Sequence, residues 1–139
     1  MDIKFLNVDL EVESTADLSP LVAALGDDVF LLQIRPADGD GDLATFELAE
    51  EHGGPDGRIL EFCDLIERLP PEAAELWRTA HRRTFDIGYE CGDTPPVFES
   101  KLTHPTIRRV ADLGASLTTT IYPETDPEHQ SADDGGVGG

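Results

Sequence analysis

The chain has 139 residues, 39% of them hydrophobic and 28% charged, and its 29 Asp and Glu against 10 Lys and Arg leave a net charge of −19. That length predicts one domain large enough to bury its own core. The charge argues against nucleic-acid binding through a basic surface, and no run reaches the ~18 consecutive apolar residues of a membrane span.

Ile3–Val12 is expected to be a strand, because Leu6, Val8, Leu10 and Val12 alternate with Asn7, Asp9, Glu11 and Glu13. One face would be buried and the other acidic and wet. Leu18–Gly26 predicts a short helix: Asp17 or Ser19 can cap it, Pro20 suits its first turn and Gly26 can end it. Val29–Ile34 is almost continuously apolar and is expected to be a central strand. After the turn Pro36–Asp42, Leu43–Leu48 returns as its hairpin partner. Ile59, Phe62, Cys63 and Ile66 repeat at helical spacing within Arg58–Arg68. Pro71 opens another helix expected to run to about Arg83, with Ala73, Leu76, Trp77 and Ala80 on its inner side. Strands are expected at Thr84–Cys91 and Val97–Leu102, a helix from Thr103 to Leu113, and a β-branched strand at Ser116–Tyr122. The order β-α-β-β-α-α-β-β-α-β predicts an α+β domain over residues 1–123, a mostly antiparallel sheet with helices on one face, elaborating a ferredoxin-like arrangement. Residues 124–139 lack apolar periodicity and are expected to form a disordered, acidic and Gly-rich tail.

The acidity is uneven. Residues 1–57 hold 14 acids and two bases, residues 58–122 ten acids and eight bases, and the tail five acids and no base. Such a field steers basic partners toward the N-terminal half.

Motifs for chemistry are sparse. Asp38, Asp40 and Asp42 match the first three ligand positions of an EF-hand, but Leu43 and Ala49 stand where Gly and Glu are needed, so an acidic turn is expected instead of a metal site. His52, His81, His104 and His129 form no ligand pair, and there is no phosphate-cradling loop or nucleophile elbow. No cofactor, metal or catalytic residue is assigned. Cys63 and Cys91 have no metal spacing, and without a secretory leader at Met1–Phe5 a reduced, cytoplasmic setting is expected. The most distinctive stretch is Thr84–Gly92. Asp86, Gly88 and Glu90 share one strand face, and Gly88 leaves room for a close approach, so these three form the candidate interaction face, with Arg82, Arg83, Arg108 and Arg109 as candidate basic neighbours.

Phe62-Cys63-Asp64-Leu65-Ile66-Glu67, Leu76-Trp77, Phe85-Asp86-Ile87-Gly88-Tyr89, Leu113-Gly114-Ala115-Ser116-Leu117 and Ile121-Tyr122-Pro123 resemble segments of small uncharacterised bacterial proteins, and Leu18-Ser19-Pro20-Leu21 also fits. Some small acidic proteins of that kind are immunity proteins, so the resemblance implies a non-enzymatic protein neutralising a basic toxin. Two other readings stand beside it. One is a small enzyme or ligand-binding domain using the Asp86/Glu90 face. The other is a domain whose acidity reflects salt adaptation.

Overall fold

The computed structural model describes residues 1–36 and 41–123. The expected tail and most of the acidic 38–42 turn lie outside the described residues. The elements are β1 (Lys4–Ser14), α1 (Ser19–Leu25), a 3-10 turn at Gly26–Asp28, β2 (Val29–Pro36), β3 (Asp42–Leu48), α2 (Pro55–Glu67), α3 (Pro71–Thr79), β4 (Arg82–Glu90), α4 (His104–Asp112) and β5 (Ser116–Tyr122). Proline sits in the first turn of all four α-helices, where its missing N–H costs no hydrogen bond. Gly114 follows α4 with φ 72°, a left-handed conformation that lets the chain turn straight into β5.

The strands form one sheet in the order β2-β3-β1-β4-β5. The β2–β3, β3–β1 and β1–β4 pairs are antiparallel, whereas β4 and β5 are parallel and joined through α4. The architecture is α+β with a mixed, mostly antiparallel sheet. Period-two alternation sorts the sheet into two faces. Val8, Leu10, Val12, Phe46, Phe85 and Ile87 are buried beneath the helices. Against them pack Leu21 and Leu25 of α1, Ile59, Phe62 and Ile66 of α2, Trp77 of α3 and Val110 of α4. Phe62 and Phe85 meet with ring centroids 5.7 Å apart, tilted by 48°. Burying each such side chain stabilises the fold by about 1.5–3 kcal/mol.

One arginine ties the layers together at their edge. Arg83 points to the helix side, where its Nη1 donates to the carbonyls of Trp77 (2.8 Å) and Arg78 (2.9 Å), and its Nε donates to Gly114 O (3.0 Å). It thereby satisfies carbonyls at the end of α3 and at the turn into β5. Trp77 Nε1 in turn donates to Leu113 O at 3.0 Å.

Four expectations are corrected. Leu6, expected beside Val8 on the buried face, is 43% exposed, because the register shifts between Phe5 and Asn7 and takes it out of the alternation. β2 is an edge strand rather than a central one. A continuous apolar run marks two apolar faces, but here Phe30, Leu31, Leu32 and Ile34 are 40–56% exposed, and no strand among the described residues flanks β2 on its outer side. Val97–Leu102 is irregular, since the edge of β4 away from β1 is already paired with β5. Finally, α3 stops at Thr79: Ala80 turns extended (φ −61°, ψ 144°), and β4 begins at Arg82.

Candidate functional site

The face of the sheet away from the helices carries the polar half of the alternation. Register places Phe30, Glu47, Asp9, Asp86 and Thr118 in a single row across β2, β3, β1, β4 and β5. Gln33, Thr45, Glu11, Thr84 and Ser116 form a neighbouring row, Asn7, Gly88 and Thr120 another, and Lys4, Glu90 and Tyr122 lie at the end of the sheet. Side chains directly opposite one another have Cβ atoms about 4.5–5.5 Å apart, so like charges in such positions repel. Among the described side chains this face holds Asp9, Glu11, Glu13, Glu47, Asp86 and Glu90 against Lys4 and Arg82.

Asp9 is at the centre of the carboxylate row. Partial burial, followed by the charges of Glu47, Asp86, Glu11 and Glu51, pushes its carboxyl up to about 6. Asn7 Nδ2 donates to both Asp9 Oδ1 (3.3 Å) and Glu47 Oε2 (3.2 Å), which holds the two acids side by side. Thr120 Oγ1 donates to Asp86 Oδ1 at 2.7 Å. Farther along, Arg82 is shared between Glu11 (Nη1–Oε1 2.9 Å) and Glu13 (Nε–Oε1 3.2 Å), and His81 Nε2 lies 3.5 Å from Glu13.

Asp86, Gly88 and Glu90 thus share the open face, with Glu90 buried at its end. The space beside Gly88 is taken by the chain itself: a Cβ there would sit 3.1 Å from Asn7 Oδ1 and 3.3 Å from the Tyr122 ring. Of the candidate basic neighbours only Arg82 joins this face. Arg83 points to the helix side, Arg109 pairs with Asp64 (2.7 Å) and Glu67 (2.8 Å) of α2, and Arg108 is exposed on α4. Asp9, Glu47 and Phe30 were not singled out by sequence reasoning. The alternation of β1 hinted at Asp9, but only strand pairing reveals the row. Among the described residues no group of three or more His, Cys, Asp or Glu is arranged to hold a metal ion, as the carboxylates stand in line rather than converging.

The apolar complement lies along the border. Phe30 flanks Glu47 in the carboxylate row and is 56% exposed. No helix among the described residues is long and apolar enough to cross a membrane. No protein-family model matches the chain, and no curated protein or solved structure matches it.

Proposed function

We propose that the chain is a non-enzymatic binding protein whose open sheet face docks a basic protein, and that its specific role is that of a cytoplasmic immunity protein neutralising a basic toxin. The observation that carries this reading is the row Phe30–Glu47–Asp9–Asp86, in which an exposed aromatic side chain borders three carboxylates on adjacent strands. Carboxylates that repel one another in the free protein gain most from an Arg or Lys arriving between them, and complementary charge speeds encounter. Phe30 supplies an apolar anchor of the kind that turns steering into affinity.

The test is complex formation with the product of the adjacent gene. Binding should weaken by about a hundredfold between ~50 and ~500 mM salt, and the Asp9→Asn/Glu47→Gln/Asp86→Asn triple variant should slow association. A non-basic neighbour, or a complex indifferent both to salt and to the triple variant, overturns the proposal.

A further inference from the structure

On the helix side of the sheet, β4 and β5 run parallel, and the 13-residue connection 91–103 arches from the end of β4 to the start of α4. Beneath it lies a cleft of about 430 Å³, lined by Ile87 and Tyr89 of β4, Thr119 and Ile121 of β5, and Phe98 and Ser100 of the connection. We propose that this cleft binds a small, uncharged, largely apolar molecule carrying one hydrogen-bonding group. The site is independent of the acidic face, from which it is separated by the thickness of the sheet.

Three observations converge on it. The first is position: in β-α-β units the connection leaving a strand opens a crevice at the carboxyl ends of the parallel strands, where ligands are held. The volume also falls within the ~300–1,000 Å³ of small-molecule sites.

The second is prior construction. Ile3 N donates to Thr94 O (2.8 Å), Asp93 N donates to Met1 O (2.9 Å), and Thr94 Oγ1 donates to Asp2 Oδ1 (2.6 Å), which ties the connection to the N-terminal segment. A Cβ on Gly92 would come within 2.5 Å of Met1 O, so this close approach requires glycine. Tyr89 packs between Phe5 (centroids 5.9 Å apart) and Phe98 (5.7 Å, edge-on), and its hydroxyl is hydrogen-bonded to Ser100. The Tyr89 side of the cleft is thus already built, which lowers the ordering cost a ligand meets there, while Thr119 and Ile121 stand exposed along β5.

The third is chemistry. Among the described residues no Asp, Glu, Lys, Arg or His lines the cleft, in a chain where 28% of residues are charged. A charged ligand would lose hydration there without gaining a partner. The Thr119, Ser100 and Tyr89 hydroxyls can instead give or accept a hydrogen bond from a neutral hydroxyl or carbonyl. The chain's own residues 124–139 follow Pro123 in sequence, but five carboxylates and only Pro127, Ala132 and Val137 as apolar side chains suit the cleft poorly.

The experiment titrates the full chain with neutral N-phenylnaphthylamine and with anionic anilinonaphthalene sulfonate, following fluorescence and backbone amide shifts. The neutral probe should saturate one site, shift the amides of Ser100, Thr119 and Ile121, and bind at least about tenfold more tightly than the anion. Thr119→Phe, which fills the cleft from an exposed position, and Ile121→Glu should each weaken it about tenfold. Phe30→Ser, at the opposite edge of the sheet, should leave it unchanged. Equal affinity for the two probes, or indifference to both cleft substitutions, overturns the proposal. So does displacement of residues 124–139 by the probe, which makes the tail the occupant, or probe-induced dissociation of a dimer in sedimentation, which makes it a second copy.

Discussion

The two faces of the sheet are built from the same strands, yet they solve opposite problems. Along β1, Val8, Leu10 and Val12 vanish under the helices, while Asp9, Glu11 and Glu13 stand on the side that no helix among the described residues covers. The covered face is held by close packing and loses stability when volume is removed. The open face contains carboxylates aligned across β3, β1 and β4, where partial burial and neighbouring charges push the Asp9 carboxyl up. The packed core thus lies on one side of the sheet, and like charges gather on the other.

The sharpest way to break this contrast is Phe85→Ala. Phe85 is fully buried against Phe62, and its truncation should cost about 3–5 kcal/mol in urea unfolding. A loss below about 1 kcal/mol would mean that the covered face is not the packed core. Next come two adjacent arginines on opposite faces. Arg83→Gln removes the donors to three backbone carbonyls and should cost about 2 kcal/mol. Arg82→Gln breaks only partly exposed ion pairs with Glu11 and Glu13 and should cost less than about 1 kcal/mol. Equal losses would erase the distinction between clamp and surface pair.

A smaller effect of opposite sign is expected at Asp9. Its carboxyl is raised from 3.8 to about 6 in the folded protein, so between those values the folded state holds more protons than the unfolded one. Its contribution to stability is greatest below about pH 4 and is lost as pH rises to about 6. Asp9→Asn should therefore stabilise the protein at pH 8, by about 1 kcal/mol once solvent screening of this half-exposed group is allowed for, and flatten the pH 4–6 limb of its stability curve. A less stable variant at pH 8 would show that the row is not strained. The smallest effect belongs to Phe30→Ser, which should change stability by no more than about 0.5 kcal/mol because the ring is mostly exposed, while still slowing or weakening capture of a basic partner. A large loss of stability would place Phe30 in the core.

The two faces were legible in the sequence to different degrees. The alternation of β1 announced one buried and one acidic side, and the spacing of Ile59, Phe62, Cys63 and Ile66 placed α2. The resulting α+β class follows from such local periods. Long-range facts were hidden. Nothing in the run Val29–Ile34 distinguishes a central strand from an edge that exposes apolar side chains, because both are apolar on two sides. Asp86 was visible as part of a strand face, but its alignment with Asp9 and Glu47 depends on register between strands far apart in sequence, β4 with β1 and β1 with β3. Tyr122 filling the space beside Gly88 depends on the same kind of pairing, as does the cleft, whose walls come from the N-terminal segment, β4, β5 and the connection between them.

Among the described residues both borders of the sheet are strands with one unpaired side, and each exposes apolar side chains: β2 through Phe30, Leu31, Leu32 and Ile34, and β5 through Leu117, Ile121 and Tyr122. Open borders of this composition are templates for stacking one molecule onto the next. A charge of −19 keeps molecules apart at neutral pH, so acidity here acts as a colloidal safeguard. As carboxylates take up protons that repulsion fades, and edge-to-edge growth from β2 and β5 becomes the expected route by which concentrated, acidified protein leaves solution.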